Sequence, residues 1–348
     1  MPTDAAPRPT IYDVAQRAGV SKSLVSLVLR DAPHVSDARR EAVLAAIEEL
    51  GYRPSRAASV LASQRTRTVG VLIDDFHNPW FVELLAGLRS VLDPAGYTAS
   101  VADLALESAS GRNPVDGFLA MHVDALVLAA DPAPGTLDGV AAPIVVAGTR
   151  DLGTAGGAGA DGGLAADVVA GDDALGSRLA TEHLIGLGHR KIGHLAGGSG
   201  PGAERRRGYE ATMEEAGLVA LVAGSGGTSE ADGYAAACAL LDAHPDVTGI
   251  VAGNDVMAVG SLAALRERGL SVPGDVSVVG HDDSPLASYR YLALTSVDGH
   301  SRDVGAAAAR ALLDRLDAPD APPLRELLAP DLVVRGSTAP PRRSAPTV

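Results

Sequence analysis

The sequence predicts an all-α helix-turn-helix headpiece followed by an α/β core of two lobes with parallel sheets. Three observations predict it. Residues 10–29 read as two short helices around a tight turn. From Val69 to Arg335, short apolar runs alternate with amphipathic ones, the pattern of a parallel sheet covered by helices. That rhythm stops at a Gly/Ala-rich stretch, 151–166, and then restarts, so the sheet-and-helix unit occurs twice. A chain of 348 residues has room for two or three such units.

Taken in order, residues 1–9 are polar and Pro-rich and are expected to form a disordered arm. The headpiece spans 10–51. Val14, Ala15 and Ala18 line one face of its first helix, and the small Ala15 lets a second helix cross closely. Gly19 suits a turn residue with φ above zero. Ser21 is placed to cap the second helix. Leu24, Val25 and Val28 recur at three and four, so one stripe of that helix is buried. Its other face carries Lys22, Ser23 and Ser26, as a recognition helix does in a major groove. The competing reading is a helical hairpin with a solvated polar face. Ser36 is the expected cap of a third helix, with Asp37 in its first turn. Val43, Ala46, Ile47 and Leu50 can close a three-helix core, and Gly51 ends the helix. Residues 52–68 read as a hinge and linker, with one or two turns of possible helix at 55–63.

The core is expected over 69–336. Strand-like runs fall at 69–73, 97–101, 125–129 and 143–147, with a helix at 81–92. After Val168-Val-Ala come helices at 172–187, 203–217, 230–243 and 254–268, and strands at 191–196, 218–223, 248–252 and 276–280. A last helix, 302–316, and a last strand, 331–335, complete the set. Residues 337–348 are Pro- and Arg-rich and are expected to be a disordered tail.

Net charge is −14, which fits a nucleic-acid binder only when it is divided along the chain. Residues 1–68 carry ten Lys/Arg against seven Asp/Glu, and the remainder nineteen against thirty-six. A mildly basic head is thus joined to a strongly acidic body. Cys238 stands alone in an apolar run and reads as a buried core thiol. A single cysteine excludes an intrachain disulfide framework and fits a reducing compartment. The N-terminus has no apolar signal region, and no stretch reaches the length of a membrane span. The expected setting is cytoplasmic, with no membrane partner.

Residues 10–62 resemble the DNA-binding headpiece of the lactose repressor/galactose repressor (LacI/GalR) family of bacterial transcriptional regulators. The residues that carry the resemblance are Thr10-Ile-Tyr-Asp-Val-Ala, Ala18-Gly-Val-Ser, Val25-Ser, Val28-Leu29, Val35-Ser36 and Gly51-Tyr-Arg-Pro. It continues through Asn78-Pro-Trp-Phe, Thr181–Ile192, Glu204-Arg-Arg-Arg-Gly-Tyr, Gly253–Gly260 and Val278-Val-Gly-His-Asp-Asp. The resemblance implies a periplasmic-binding-protein-like core that holds a small effector between its lobes. It also implies a homodimer on a palindromic double-stranded operator, most often as a repressor. The chain would cross between lobes near 170, 297 and 328, leaving an N-lobe of 69–169 and 298–327 and a C-lobe of 170–297 and 328–336.

By the same resemblance, DNA contacts come from Thr10, Tyr12, Ser21, Lys22, Ser23, Ser26, Leu27, Arg30, His34, Ser36, Arg53, Ser55, Arg56, Ala58 and Leu61. Lys22, Arg30, Arg53 and Arg56 are candidate phosphate contacts, and Leu61 a minor-groove wedge. Where the family usually has Arg, this chain has Leu27, which offers a base only apolar contact, for instance to a thymine methyl.

The effector candidates fall at strand ends, where open α/β sheets bind ligands. They are Asp74, Asn78, Trp80, Phe81 and Arg150, and the resemblance implies that Arg205, Asn254 and Asp282, at matching family positions, touch the effector too. An aromatic pair beside amide and carboxylate groups suits a sugar or a flat heterocycle. Trp80 and Phe81 also fit a plain core role. Asp74 with Asp282 would repel an anion, so a neutral sugar is favoured, with a nucleoside or nucleobase as the alternative. His281 stands where the family commonly has Phe or Tyr.

A nucleotide-binding enzyme is the rival from another class. Gly198-Ser-Gly-Pro-Gly-Ala203 fits G-x-G-x-x-A, but the next strand lacks the acidic residue that would hold a ribose. No glycine loop runs into Gly-Lys-Ser/Thr, and His183, His189 and His194 lack the spacing of metal ligands on one helix face. No catalytic residue, cofactor or metal is assigned. A sugar-transport protein would share the core but would not carry residues 10–62.

Overall fold

A computed structural model of the chain describes residues 9–29, 34–52, 65–137, 139–150 and 166–342. Arg30, Arg53, Ser55, Arg56, Ala58 and Leu61 lie outside the described residues. So do 1–8 of the expected arm, most of the expected hinge, 151–165 of the Gly/Ala stretch, and 343–348. The chain divides into two compact units at residue 66.

The first unit is a three-helix domain: α1 (Ile11–Ala18), α2 (Lys22–Leu29) and α3 (Asp37–Leu50). Thr10 and Asp13 form a capping box at the start of α1, and Gly19 ends it with φ 65°. The Ser21 hydroxyl accepts from Leu24 N at 3.2 Å, which starts α2. Ser36 sits at the N-cap of α3, but its side chain makes no capping bond. Val14, Ala15, Val25, Val28, Val43 and Ala46 are buried together, with Leu24, Ile47 and Leu50 packed against them. The apolar stripes read from the sequence are therefore the stripes that meet.

The second unit holds two six-stranded sheets. The N-lobe contains β1 (Thr68–Ile73), α4 (Trp80–Leu92), β2 (Thr98–Asp103), α5 (Leu104–Ala109), α6 (Asp116–Met121), β3 (Ala125–Ala129), β4 (Ile144–Ala147) and β5 (Asp167–Gly171). The C-lobe contains α7 (Asp173–Leu187), β6 (Ile192–Gly197), α8 (Pro201–Glu215), β7 (Leu221–Gly226), α9 (Glu230–Ala243), β8 (Gly249–Ala252), α10 (Asp255–Glu267), β9 (Ser277–His281) and β10 (Thr295–Asp298). The chain then returns to the N-lobe through α11 (Ser301–Asp317) and β11 (Arg325–Leu328), and ends in the C-lobe with β12 (Asp331–Val333).

Strand order is β11-β5-β4-β3-β1-β2 in one sheet and β12-β10-β9-β8-β6-β7 in the other. All pairings in the N-lobe are parallel. In the C-lobe only β12 runs antiparallel, against β10. Helices cover both faces, so strands such as β3 are buried at every position. The chain passes between sheets three times, after Gly171, after Asp298 and after Leu328.

Three expectations need correction. The strand expected at 218–223 starts three residues later. Leu218 N still donates to Met213 O, in the C-terminal wrap of α8, and pairing begins where Leu221 N meets the Tyr209 hydroxyl. The tail expected to be disordered from 337 is packed as far as 342. Ser337 is buried, its hydroxyl donates to Val278 O, and His183 and His189 bond Thr338 and Ala339 at 2.9 Å each. Cys238 is half-buried rather than enclosed, and Arg268 Nη1 lies 3.1 Å from its sulfur. Strand β11 and helices α5 and α6 were absent from the sequence reading. They are short, and β11 is an edge strand whose Arg325 and Glu326 are exposed.

Among the described residues no helix is long and apolar enough to cross a membrane, and no cluster of His, Cys, Asp or Glu is placed to hold a metal ion.

Candidate functional site

In the headpiece, α2 exposes Lys22, Ser23 and Leu27, with Ser26 half-buried. Ser21, His34 and Ser36 are exposed as well. Tyr12 of α1 is 64% exposed. Lys22 Nζ donates to its hydroxyl at 3.3 Å and lies 5.0 Å from the ring centroid. Two helices thus share one patch of mixed cationic, hydroxyl and aromatic character. The Thr10 hydroxyl is occupied by its capping box, and hydrogen bonds from Thr10 hold the Asp13 carboxyl below its usual range. Leu27 is an apolar side chain offered to solvent from the middle of this face.

In the core, a cavity of about 410 Å³ lies between the lobes, at the C-terminal ends of both sheets. Its walls contain all eight of Asp74, Asn78, Trp80, Phe81, Arg150, Arg205, Asn254 and Asp282. The structure brings them together at the strand ends and the helix starts beside them: Asp74 follows β1, Arg150 β4, Asn254 β8 and Asp282 β9, while Trp80 and Phe81 open α4 and Arg205 lies early in α8.

The N-lobe wall is built around Arg150. Its Nη1 pairs with Asp74 Oδ2 at 2.6 Å, and Asp131 N donates to the other Asp74 oxygen at 3.1 Å. The guanidinium lies 5.4 Å from the Trp80 ring and 5.8 Å from the Phe81 ring. Those rings meet edge to face, centroids 5.0 Å apart. Phe81 is also part of the N-lobe core, whereas Trp80 is only partly buried. The Asn78 amide oxygen accepts from Trp80 N at 3.0 Å and starts α4.

The C-lobe wall is built around Arg205. It donates to Asp173 Oδ1 at 2.7 Å, to Gly253 O at 2.7 Å and to Asp282 Oδ1 at 3.0 Å. Burial works against its charge, and Asp173 and Asp282 more than offset that, raising its pKa. One guanidinium cannot neutralise two carboxylates. Burial, with the charge of Asp173 added, pushes the Asp282 pKa up to about 6 against the pull of Arg205. The Asn254 amide caps α10 through Met257 N at 2.7 Å and donates to Thr228 O at 3.1 Å. His281 Nε2 is 3.7 Å from Asp173 Oδ1, too far for a hydrogen bond. Burial, then the nearby charge of Arg205, lowers its pKa far enough to keep it neutral.

Asp131, Asp172, Asp173, Thr228 and His281 also line the cavity, and the sequence reading had not included them among its site residues. Asp173 carried one usable signal: an acidic pair, Asp172-Asp173, opens a helix directly after a strand. His281 adjoins Asp282 in the sequence, whereas Asp131 and Thr228 join the site only through strand order. The G-x-G-x-x-A stretch lines the same cavity and runs into the first turn of α8, without an acidic ribose partner on β7.

Residues 10–55 match the family described as bacterial regulatory proteins, lacI family, and residues 181–338 match the periplasmic binding protein-like domain. The HTH-type transcriptional regulator CelR of Thermobifida fusca is 36% identical, over 95% of this chain and 98% of its own. Among solved structures, a CelR–cellobiose complex aligns at 32% identity with a TM-score of 0.68, covering 95% of this chain and 100% of that one. A lac repressor dimer bound to operator and the anti-inducer ONPF aligns at 29% identity with a TM-score of 0.80, covering 96% and 100%. These relatives are regulators of transcription, not enzymes. A helix-turn-helix head joined to a two-lobed periplasmic-binding-protein-like core, matched end to end by such proteins, places this chain in the LacI family of DNA-binding transcriptional regulators.

Proposed function

We propose that the protein acts in the cytoplasm as a dimeric repressor on a two-fold symmetric operator, and that a neutral sugar in the inter-lobe cleft is its effector. The observation that carries the effector reading is the charge of the cleft wall. Seven carboxylates line it, among them Asp74, Asp173 and Asp282, against the two guanidiniums of Arg150 and Arg205. Both arginines already make ion pairs with those carboxylates. The wall therefore favours hydroxyl donors and repels phosphate. The Trp80 ring offers an apolar face to a sugar ring. CelR, solved with cellobiose, supports the same class.

In this reading, Tyr12, Lys22, Ser23, Ser26 and Leu27 meet the operator, together with Thr10, Ser21, His34 and Ser36 around them. Effector binding changes the lobe arrangement, and the lobes set the separation of the two hinge segments on the operator.

Trp80 is the single tryptophan of the chain, so its fluorescence reports on the cleft. Neutral mono- and disaccharides, phosphorylated sugars and nucleosides are titrated against it in parallel with thermal melting. The expected result is a saturable change with a neutral sugar, accompanied by a raised melting temperature and altered operator affinity. Saturation by a phosphorylated sugar or by a nucleoside alone would overturn the sugar reading.

A further inference from the structure

We infer that Asp255 is a positioning residue: it holds the turn that presents Asp282 to the cleft, and thereby sets how tightly the effector is bound. The inference rests on the cleft reading above. Asp282 and Asp283 have φ of 102° and 42°, both in the left-handed region that non-glycine residues avoid. Such a turn persists only where its surroundings over-determine it.

Here three successive amides are tied down. Asp282 N donates to Val297 O at 2.8 Å, Asp283 N to Ser296 Oγ at 3.1 Å, and Ser284 N to Asp255 Oδ2 at 2.7 Å. Two of the three ties depend on Asp255. Its Oδ2 also accepts from the Ser284 hydroxyl at 2.8 Å. Its Oδ1 accepts from the Ser296 hydroxyl at 2.5 Å, which orients that oxygen to receive Asp283 N. Arg335 clamps the Asp283 carboxylate from another side.

A plain capping role does not account for this. Asn254 already caps α10, and the Asp255 carboxylate, 1% exposed, turns away to the two serines. A Cβ on residue 280 would lie 2.2 Å from Asp255 Oδ1, so Gly280 leaves space for that carboxylate. Burial, then the charge of Asp282, pushes the Asp255 pKa up to about 7, with the serine donors pulling the other way.

The test uses Asp255→Asn and Asp255→Ala in the full-length protein, with cellobiose as the probe, read through Trp80 fluorescence. Three results are expected. Amide exchange at Asp283 and Ser284 rises while β9 stays protected. Cellobiose affinity falls about tenfold in the Asn variant, equivalent to about 1.4 kcal/mol, and further in the Ala variant, because Asn keeps one carbonyl acceptor. The melting temperature of Asp255→Asn at pH 8 holds or rises, because a buried charge has been removed. Affinity and stability thus move in different directions, which a loss of general structure would not produce.

Unchanged exchange at Asp283 and Ser284 would overturn the inference, whether or not cellobiose binds the wild type. A fall in affinity matched by a fall in melting temperature would also overturn it. Asp282→Ala separates the two readings. If it binds cellobiose like the wild type, the cleft reading fails and takes this inference with it. If it loses binding while Asp255→Asn retains it, only the role of Asp255 falls.

Discussion

At the scale of single residues, the cleft is a problem in charge. Arg205 faces Asp173 and Asp282 at once, and the surplus carboxylate keeps a proton longer than usual. The sign for binding follows. Asp282 accepts hydrogen bonds best when ionised, and it loses its charge as pH falls through about 6. Effector affinity measured by Trp80 fluorescence is therefore expected to be highest above about pH 8 and to weaken as pH falls through about 7, where Asp255 gains a proton, and about 6, where Asp282 does. Asp282→Asn should bind weakly at every pH, and a mutant with the wild-type pH profile would remove Asp282 from the site. The sign for stability is opposite to that of an ordinary paired aspartate. A folded pKa above the unfolded one favours the fold at low pH, and that contribution is lost as pH rises from about 4 to 6. Asp282, Asn254 and Arg205 were legible in the sequence because they match family positions; a lone Asp or Arg beside a strand or in a helix would otherwise read as solvated surface. Asp173 bonds Arg205 from 32 positions away, so the pairing became visible only once α7 and α8 were packed side by side.

At the scale of elements, hydrophobic period was a good guide and endings were not. The stripes of α1, α2 and α3 are the buried positions, because a three-helix domain has one small core and each helix must face it. Val25 is fully buried in that core, and Val25→Ala is expected to cost about 2 kcal/mol. In so small a domain that is a large share of the total. Calorimetry should show a lower headpiece transition with the core transition unmoved. The misplaced start of β7 and the packed residues 337–342 have a common cause: both are fixed by distant partners, Tyr209 in one case and Val278, His183 and His189 in the other. The glycine loop before α8 makes the same point. A Cβ on Gly200 would lie 3.0 Å from Thr149 O and 3.2 Å from Asp131 Oδ2, both on the opposite lobe, and its φ is 56°. A side chain there would press on the opposite lobe and strain the left-handed backbone, so glycine suits this approach. Gly200→Val is expected to lower effector affinity about tenfold without removing any polar group from the wall, about 1.4 kcal/mol set against closure. Wild-type affinity in that variant would show that the lobes need not meet there.

At the scale of the whole molecule, the distribution of charge decides how the protein meets DNA. The first 68 residues carry a small positive excess, and the rest carries a net charge more negative than the −14 of the whole chain. Phosphates attract the head and repel the body, so the attraction is confined to the first 68 residues. One head with a single eight-residue recognition helix spans too few base pairs to single out a site in a genome. Two heads on a palindrome double the information, provided that both are engaged together. Footprinting is expected to show a two-fold site protected by one dimer. Operator affinity should fall by about 10³ between 50 and 200 mM salt if six or so phosphates are neutralised. Lys22→Ala should then flatten the salt dependence by about one counterion for each head. Tight binding of a monomer to a single half-site would refute this arrangement. A flat salt dependence would instead remove Lys22 from the phosphate contacts and leave the hydroxyl and apolar side chains of α2 to hold the head on DNA.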